Sequence, residues 1–96
     1  MIVTPEVPAH YTLADVAMTV AFRHRFTVEE LRGTRRFKPL SWARHEAVYL
    51  MRSIRREDGK PKYTLNQIGR FMSGRNHKTL INSINKYRSK HGLPYV

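Results

Sequence analysis

Arg75, Asn76, His77, Lys78 and Thr79 stand in one unbroken run, and each carries a group that can meet the edge of a nucleic-acid base. Arginine and lysine donate to guanine O6 and N7, asparagine pairs with adenine, and a threonine methyl packs on thymine. On the first turn of a helix such side chains would reach into a major groove. Other chemistry finds little footing. His45-Glu46 opens a zinc-protease pattern, but Tyr49 stands where the second histidine must be, and five histidines without a cysteine suggest no metal site. No serine or carboxylate pair has a partner at instructive spacing, so neither an enzyme nor a cofactor is expected.

Charge points the same way. The 96 residues hold 18 Lys and Arg against 7 Asp and Glu, a net charge of +11 that draws polyanions. Every acidic residue lies at or before Asp58, so the half from Gly59 onward is the one expected to face phosphates, with Lys60 and Lys62 among the contacts. An apolar fraction of 41% suffices for one small core. The absence of cysteine fits a reducing cytoplasm, and no run approaches the ~20 apolar residues of a membrane span, so a cytoplasmic protein is expected.

Those reading side chains need a helix beneath them. Residues 1–11 hold two prolines and no periodicity, which predicts an extended arm, disordered in part. Leu13, Val16, Ala17, Val20 and Ala21 recur at helical spacing with Asp15 at the positive end of the dipole, giving a helix over about 13–25. Thr27-Val28-Glu29-Glu30 has the form of a capping box and opens a short helix that Gly33 stops. The basic stretch 34–40 reads as a loop, since Pro39 favours extended backbone before it, and Ser41 then caps a long helix over about 42–56. Ala43, Ala47, Leu50, Met51 and Ile54 face inward on that helix, leaving Arg44, Arg52, Arg55 and Arg56 in water. Residues 57–62 form a solvated loop. A second capping box, Thr64-Leu65-Asn66-Gln67, opens a short helix carrying Ile68, Phe71 and Met72, and Ser73-Gly74 makes a turn. The last helix, about 76–90, buries Leu80, Ile81, Ile84 and Tyr87 and stops at Gly92 and Pro94. With no strand pattern, the expected fold is all-α: a compact bundle of about five to six helices, one domain over 12–92 with a tail at 93–96, its last two helices forming a helix-turn-helix.

Gly74-Arg75-Asn76-His77-Lys78-Thr79-Leu80, preceded by Leu65-Asn66-Gln67-Ile68-Gly69, resembles the hallmark of the C-terminal DNA-binding domain of the bacterial replication initiator DnaA. That family reads Leu-x-x-Ile-Gly and then Gly-Arg-Asp-His-Thr-Thr-Val. A second collinear block agrees: Glu30-Leu31, then Arg35-Arg36-Phe37-Lys38, then Ala43-Arg44-His45-Glu46-Ala47-Val48-Tyr49-Leu50. The resemblance runs from about Thr12 to Lys90. It implies a Trp-repressor-like helix-turn-helix that reads an AT-rich box of double-stranded DNA in the major groove. It also implies that an arginine of the basic loop enters the minor groove, where narrow AT-rich sequence concentrates negative potential. The matching arginine is Arg36, flanked by Arg35 and Lys38; Arg44 matches a DNA contact, and His45 stands where another contacting polar residue is found. With Arg75, Asn76, His77, Lys78 and Thr79, and with Asn66 and Asn82 beside them, these make up the expected DNA-binding set.

Two departures bear on partner choice. Asn76 stands where the family has aspartate and Lys78 where it has threonine, which would raise affinity for phosphate and shift or blur sequence preference. The loop at 57–62 also looks longer than the family's. No Gly-x-x-x-x-Gly-Lys-Ser/Thr phosphate loop occurs, so a DNA-binding regulator of replication initiation or transcription without an ATP motor is expected. The departures leave open an adaptor that binds the initiator or another replication protein, and the charge alone would suit a non-specific nucleic-acid binder. No heptad pattern argues for a dimer.

Overall fold

The computed structural model describes residues 7–94, which form five helices: α1 (Leu13–His24), α2 (Val28–Arg32), α3 (Lys38–Ser53), α4 (Leu65–Phe71) and α5 (His77–His91). Three of them start the same way. Thr12, Thr27 and Thr64 each accept from the backbone N–H of the third helical residue, whose side chain (Asp15, Glu30 or Gln67) bonds back to the threonine N–H. The reciprocal box was legible for Thr27 and Thr64; at Thr12 aspartate does the same work.

α3 departs from expectation at both ends. It begins at Lys38 with Phe37 as an uncapped N-cap, and Pro39 sits in the first turn, where its missing N–H has no helical partner to lose. Ser41, expected to cap, instead donates its N–H to the Phe37 carbonyl at 3.0 Å. The helix ends at Ser53, three residues early, because Arg55 pairs with Pro61 in an isolated antiparallel bridge and Arg56 donates to the Lys60 carbonyl. Residues 54–62 are thus a tight turn closed by Lys62 N–H on the Ile54 carbonyl, with Gly59 at φ +82.

The core lies between α1, α3 and α5. Val16, Ala17 and Val20 of α1, Leu40, Ala47, Tyr49 and Met51 of α3, Ile68 of α4, and Leu80 and Ile84 of α5 are all buried. At ~25 cal/mol per Å² of apolar area removed from water, such a set is the main favourable contribution to folding. Glu46, nearly buried, ties the three long helices: it pairs with Arg23 at 2.8 Å, lies 3.4 Å from His24 Nε2, and accepts from the Tyr87 hydroxyl at 3.3 Å. The chain ends are docked as far as they are described. Leu93 and Val7 pack on the core, Tyr49 donates its hydroxyl to the Pro94 carbonyl, and Lys62 Nζ donates to the carbonyls of Ala9 and Tyr11. The disorder expected for the first residues of the arm lies outside the described residues.

One glycine sets how closely α4 and α5 approach. The Gly69 carbonyl accepts from Gly74 N–H at 2.8 Å and Arg75 N–H at 3.1 Å, folding the chain back through two left-handed residues, Ser73 at φ 64 and Gly74 at φ 83. A Cβ on Gly69 would strike the Arg75 carbonyl oxygen, which is backbone and cannot swing away. Gly69→Ala should therefore cost about 1–3 kcal/mol of stability by overpacking, seen as a lower urea midpoint at unchanged slope; an unaltered midpoint would mean that the turn is not held this tightly.

Candidate nucleic-acid interface

The α4–turn–α5 unit presents the run from which the sequence reading began, with its members in three different situations. Asn76 is the N-cap of α5: its side-chain oxygen accepts from Thr79 N–H at 2.9 Å, so the helix starts at His77. Asn76, expected to meet a base, thus also caps the helix, its side-chain amide N–H groups making no hydrogen bond among the described residues. Aspartate and asparagine cap about equally well, and the side-chain oxygen is already committed. His77 is exposed and its Nε2 lies 2.7 Å from Asn66 Oδ1 on α4, so Asn66 orients the ring rather than standing free. Lys78, Thr79 and Asn82 are exposed on successive turns of α5, and neither Lys78 nor Asn82 has a hydrogen-bond or ion-pair partner among the described residues.

The two arginines expected to touch DNA from α3 and the turn are turned inward instead. Arg44, expected in water, is 7% exposed; its Nε donates to the Leu31 carbonyl at 2.9 Å, Nη2 to Glu30 at 2.8 Å and Nη1 to Arg35. Its place on the wheel explains this, four residues after Leu40 and four before Val48, both buried. Arg75 is half-buried and donates to the carbonyls of Arg32, Gly33 and Met72. Burial works against the charge of both guanidiniums, and Arg44 adds repulsion at Arg75, yet arginine keeps its proton. Arg52 is likewise not in water: it is half-buried and donates to the Tyr63 carbonyl at 2.9 Å. Lys62, expected on phosphate, is occupied by the N-terminal arm.

What these arginines secure is the basic loop, 33–37. Arg35 lies on the Phe37 ring at 4.8 Å and 3.8 Å from the Glu30 carboxylate, while Phe37 meets Phe26 edge-on at 5.6 Å. Phe37 is thus a boundary packing residue. Arg36 and Lys38 are exposed and make no hydrogen bond or ion pair among the described residues. Arg36 borders an open groove of about 490 Å³, whose other walls include Arg44, His45, Arg75, Thr79 and Lys86, with no carboxylate in its lining. The loop and the face of α5 therefore flank one basic depression.

His45 sits inside that depression. It is half-buried, its Nδ1 lies 3.0 Å from Ser83 Oγ, and its ring meets Trp42 edge-on at 5.2 Å. Burial first, then the charges of Lys86 and Arg44, push its pKa down to about 4, so it is neutral near pH 7. Lys86 was missed by the sequence reading. The signal was there, since it continues the stripe of Lys78, Thr79 and Asn82 along α5 at helical spacing. Trp42 packs under Lys90 Nζ at 4.0 Å.

Residues 13–86 match the family described as bacterial dnaA protein helix-turn-helix. No curated protein and no solved structure matches the chain.

Two expectations follow from this geometry. Arg44→Met leaves three carbonyls short of a donor and should cost about 3 kcal/mol of stability without DNA present, whereas Arg36→Ala should change it by less than ~0.5 kcal/mol. Equal effects in denaturant titration would mean that Arg44 is not the clamp. The second concerns acid. His45 binds fewer protons folded than unfolded between its lowered pKa of about 4 and the ordinary 6.5, so stability is complete above that window and falls as pH drops through it. His45→Gln, which can still bond Ser83, should flatten the melting temperature across pH 6.5 to 4; an unchanged slope would assign the acid sensitivity elsewhere.

Proposed function

The chain belongs to the bacterial DnaA helix-turn-helix family, and from that premise we propose that it binds a specific double-stranded DNA site and thereby regulates replication initiation or transcription. The first turns of α5 enter the major groove with His77, Lys78, Thr79 and Asn82 toward the bases, and Arg36 enters the neighbouring minor groove. The observation that carries this reading is the pairing of an unengaged Arg36 with Thr79 and Lys86 of α5 across a carboxylate-free groove, His77, Lys78 and Asn82 being exposed on the same helix outside it. Arg44 and Arg75 act as positioning residues, fixing the loop against the turn so that both probes meet the duplex in one register.

The adaptor reading drew on positions 76 and 78 and on the loop at 57–62. Asn76 retains the capping role open to aspartate, and the loop is a short closed turn, so only Lys78 remains from that ground. A lysine on the first turn of a recognition helix suits guanine or phosphate. No observation favours the adaptor over DNA.

Fluorescence anisotropy of a labelled duplex carrying an initiator box, against a scrambled duplex of equal composition, tests the proposal. The box should bind at least about tenfold tighter, a difference of ~1.4 kcal/mol. His77→Ala should weaken the box by about 1–3 kcal/mol and leave the scrambled duplex nearly unaffected. Coincident box and scrambled curves for the wild-type protein would overturn specific reading of that site.

A further inference from the structure

Beyond the depression between Arg36 and α5 lies a second one. It is an open groove of about 740 Å³ lined by Lys38, Ser41, Trp42, His45, Asn85, Lys86, Ser89 and Lys90. Ser41, His45 and Lys86 line both, so the two are halves of one channel running along α5 from Thr79 toward its C-terminal end. Every charged residue in the combined lining is a cation: Arg36, Arg44, Arg75 and Lys86 in the first half, Lys38, Lys86 and Lys90 in the second. The acidic side chains of the described residues all lie elsewhere, with Glu46 spent on Arg23, His24 and Tyr87 and Asp58 on Arg56.

Such a channel stores unrelieved repulsion in the free protein. The effect of Lys86 and Arg44 on His45 is one trace of it. Two of the cations have their charge fixed inward on carbonyls, but the Lys38 and Lys86 side chains make no hydrogen bond or ion pair among the described residues, and Lys90 Nζ lies over the face of Trp42. Hydroxyls on Ser41 and Ser89 and the Asn85 amide supply neutral donors between the charges. From Thr79 to Lys90 the α5 axis advances about 16 Å, over which one strand of B-DNA rises by roughly five phosphates at ~3.4 Å each.

We propose that this channel is a phosphodiester track: beyond the bases read by α5 it carries the sugar-phosphate backbone of the same duplex, with Lys86 and Lys90 each neutralising one phosphate and Ser41 donating to a phosphate oxygen between them. The inference rests on the DNA-binding reading above and extends its footprint past the recognised box. It makes Lys86 and Lys90 determinants of affinity and not of sequence choice, since phosphate contacts are alike for every sequence.

The test is the salt dependence of binding. Log affinity is measured against log salt concentration for the wild type, Lys86→Gln/Lys90→Gln, and Arg25→Gln, a control cation that lines neither groove. Each phosphate contact contributes about 0.9 to the slope, so the double variant should lose close to 2 units of slope, equally on box and scrambled duplexes, while the control keeps the wild-type slope. Thermal unfolding of each variant checks that the fold is intact. A slope unchanged in the double variant overturns the track. Loss of slope confined to the box would make Lys86 or Lys90 a base reader and overturns it equally, and an equal fall in the control would replace the track by diffuse charge. If the wild type fails to tell box from scrambled while the double variant still loses its slope, the reading of bases fails and the track stands.

Discussion

Two guanidiniums and six carbonyls hold the basic loop, α3 and the turn before α5 together. α2 is only five residues long, too short to stand without outside support, and the last carbonyls of any helix lack partners within it. Here the carbonyls of Glu30 and Leu31 receive Arg44 from α3, and those of Arg32 and Gly33 receive Arg75 from the turn before α5. Arg32 answers by donating Nε to the Phe71 carbonyl at the end of α4. Carbonyls at the end of α2, of which that of Glu30 also accepts from Gly33 N–H, become the mortar between three elements. Buried charge is tolerable because each guanidinium has several acceptors in place.

This arrangement explains what could and could not be read from the residues alone. Capping boxes at Thr27 and Thr64, the turn at Ser73-Gly74 and the apolar stripe of α1 rest on local rules, and each is present; on α5 Leu80 and Ile84 are buried, whereas Ile81 and Tyr87, expected beside them, are half-buried. Local rules competed at α3. A proline in the first turn and a serine two residues later are both good helix starts, and the proline placement prevailed with Phe37 packed on Phe26. The side chains misjudged were long cations. An arginine facing solvent and one feeding carbonyls across a 13-residue separation look the same in sequence, since the acceptors are backbone groups without a residue signature. The capping role of Asn76 was hidden for a related reason, its oxygen being as typical of helix starts as its amide is of adenine contacts.

The distribution of charge has a matching logic. Glu46 is the acidic residue placed in the packed interior, and it neutralises Arg23 on the α1 side of α3. His45, its neighbour in sequence, points the other way, toward Ser83 and the basic depression. One helix thus separates a neutralised interior from a face where cations are left without counterions. A surface of that kind gives up some stability to self-repulsion and gains attraction for a polyanion.

The clamps also carry information about order of assembly. The bonds of Arg44 span 9 to 14 residues, whereas the Arg75 bonds to Arg32 and Gly33 span 43 and 42. On a chain made from its N-terminus, α2 and the basic loop can be fastened to α3 while the turn is still unsynthesised, leaving two carbonyls waiting. Closing the longer loop costs only slightly more entropy, but it comes last. The loop that bears Arg36 is thus fastened by bonds of short sequence separation and the turn before α5 by bonds of long separation, so the two halves of the face meet through Arg75.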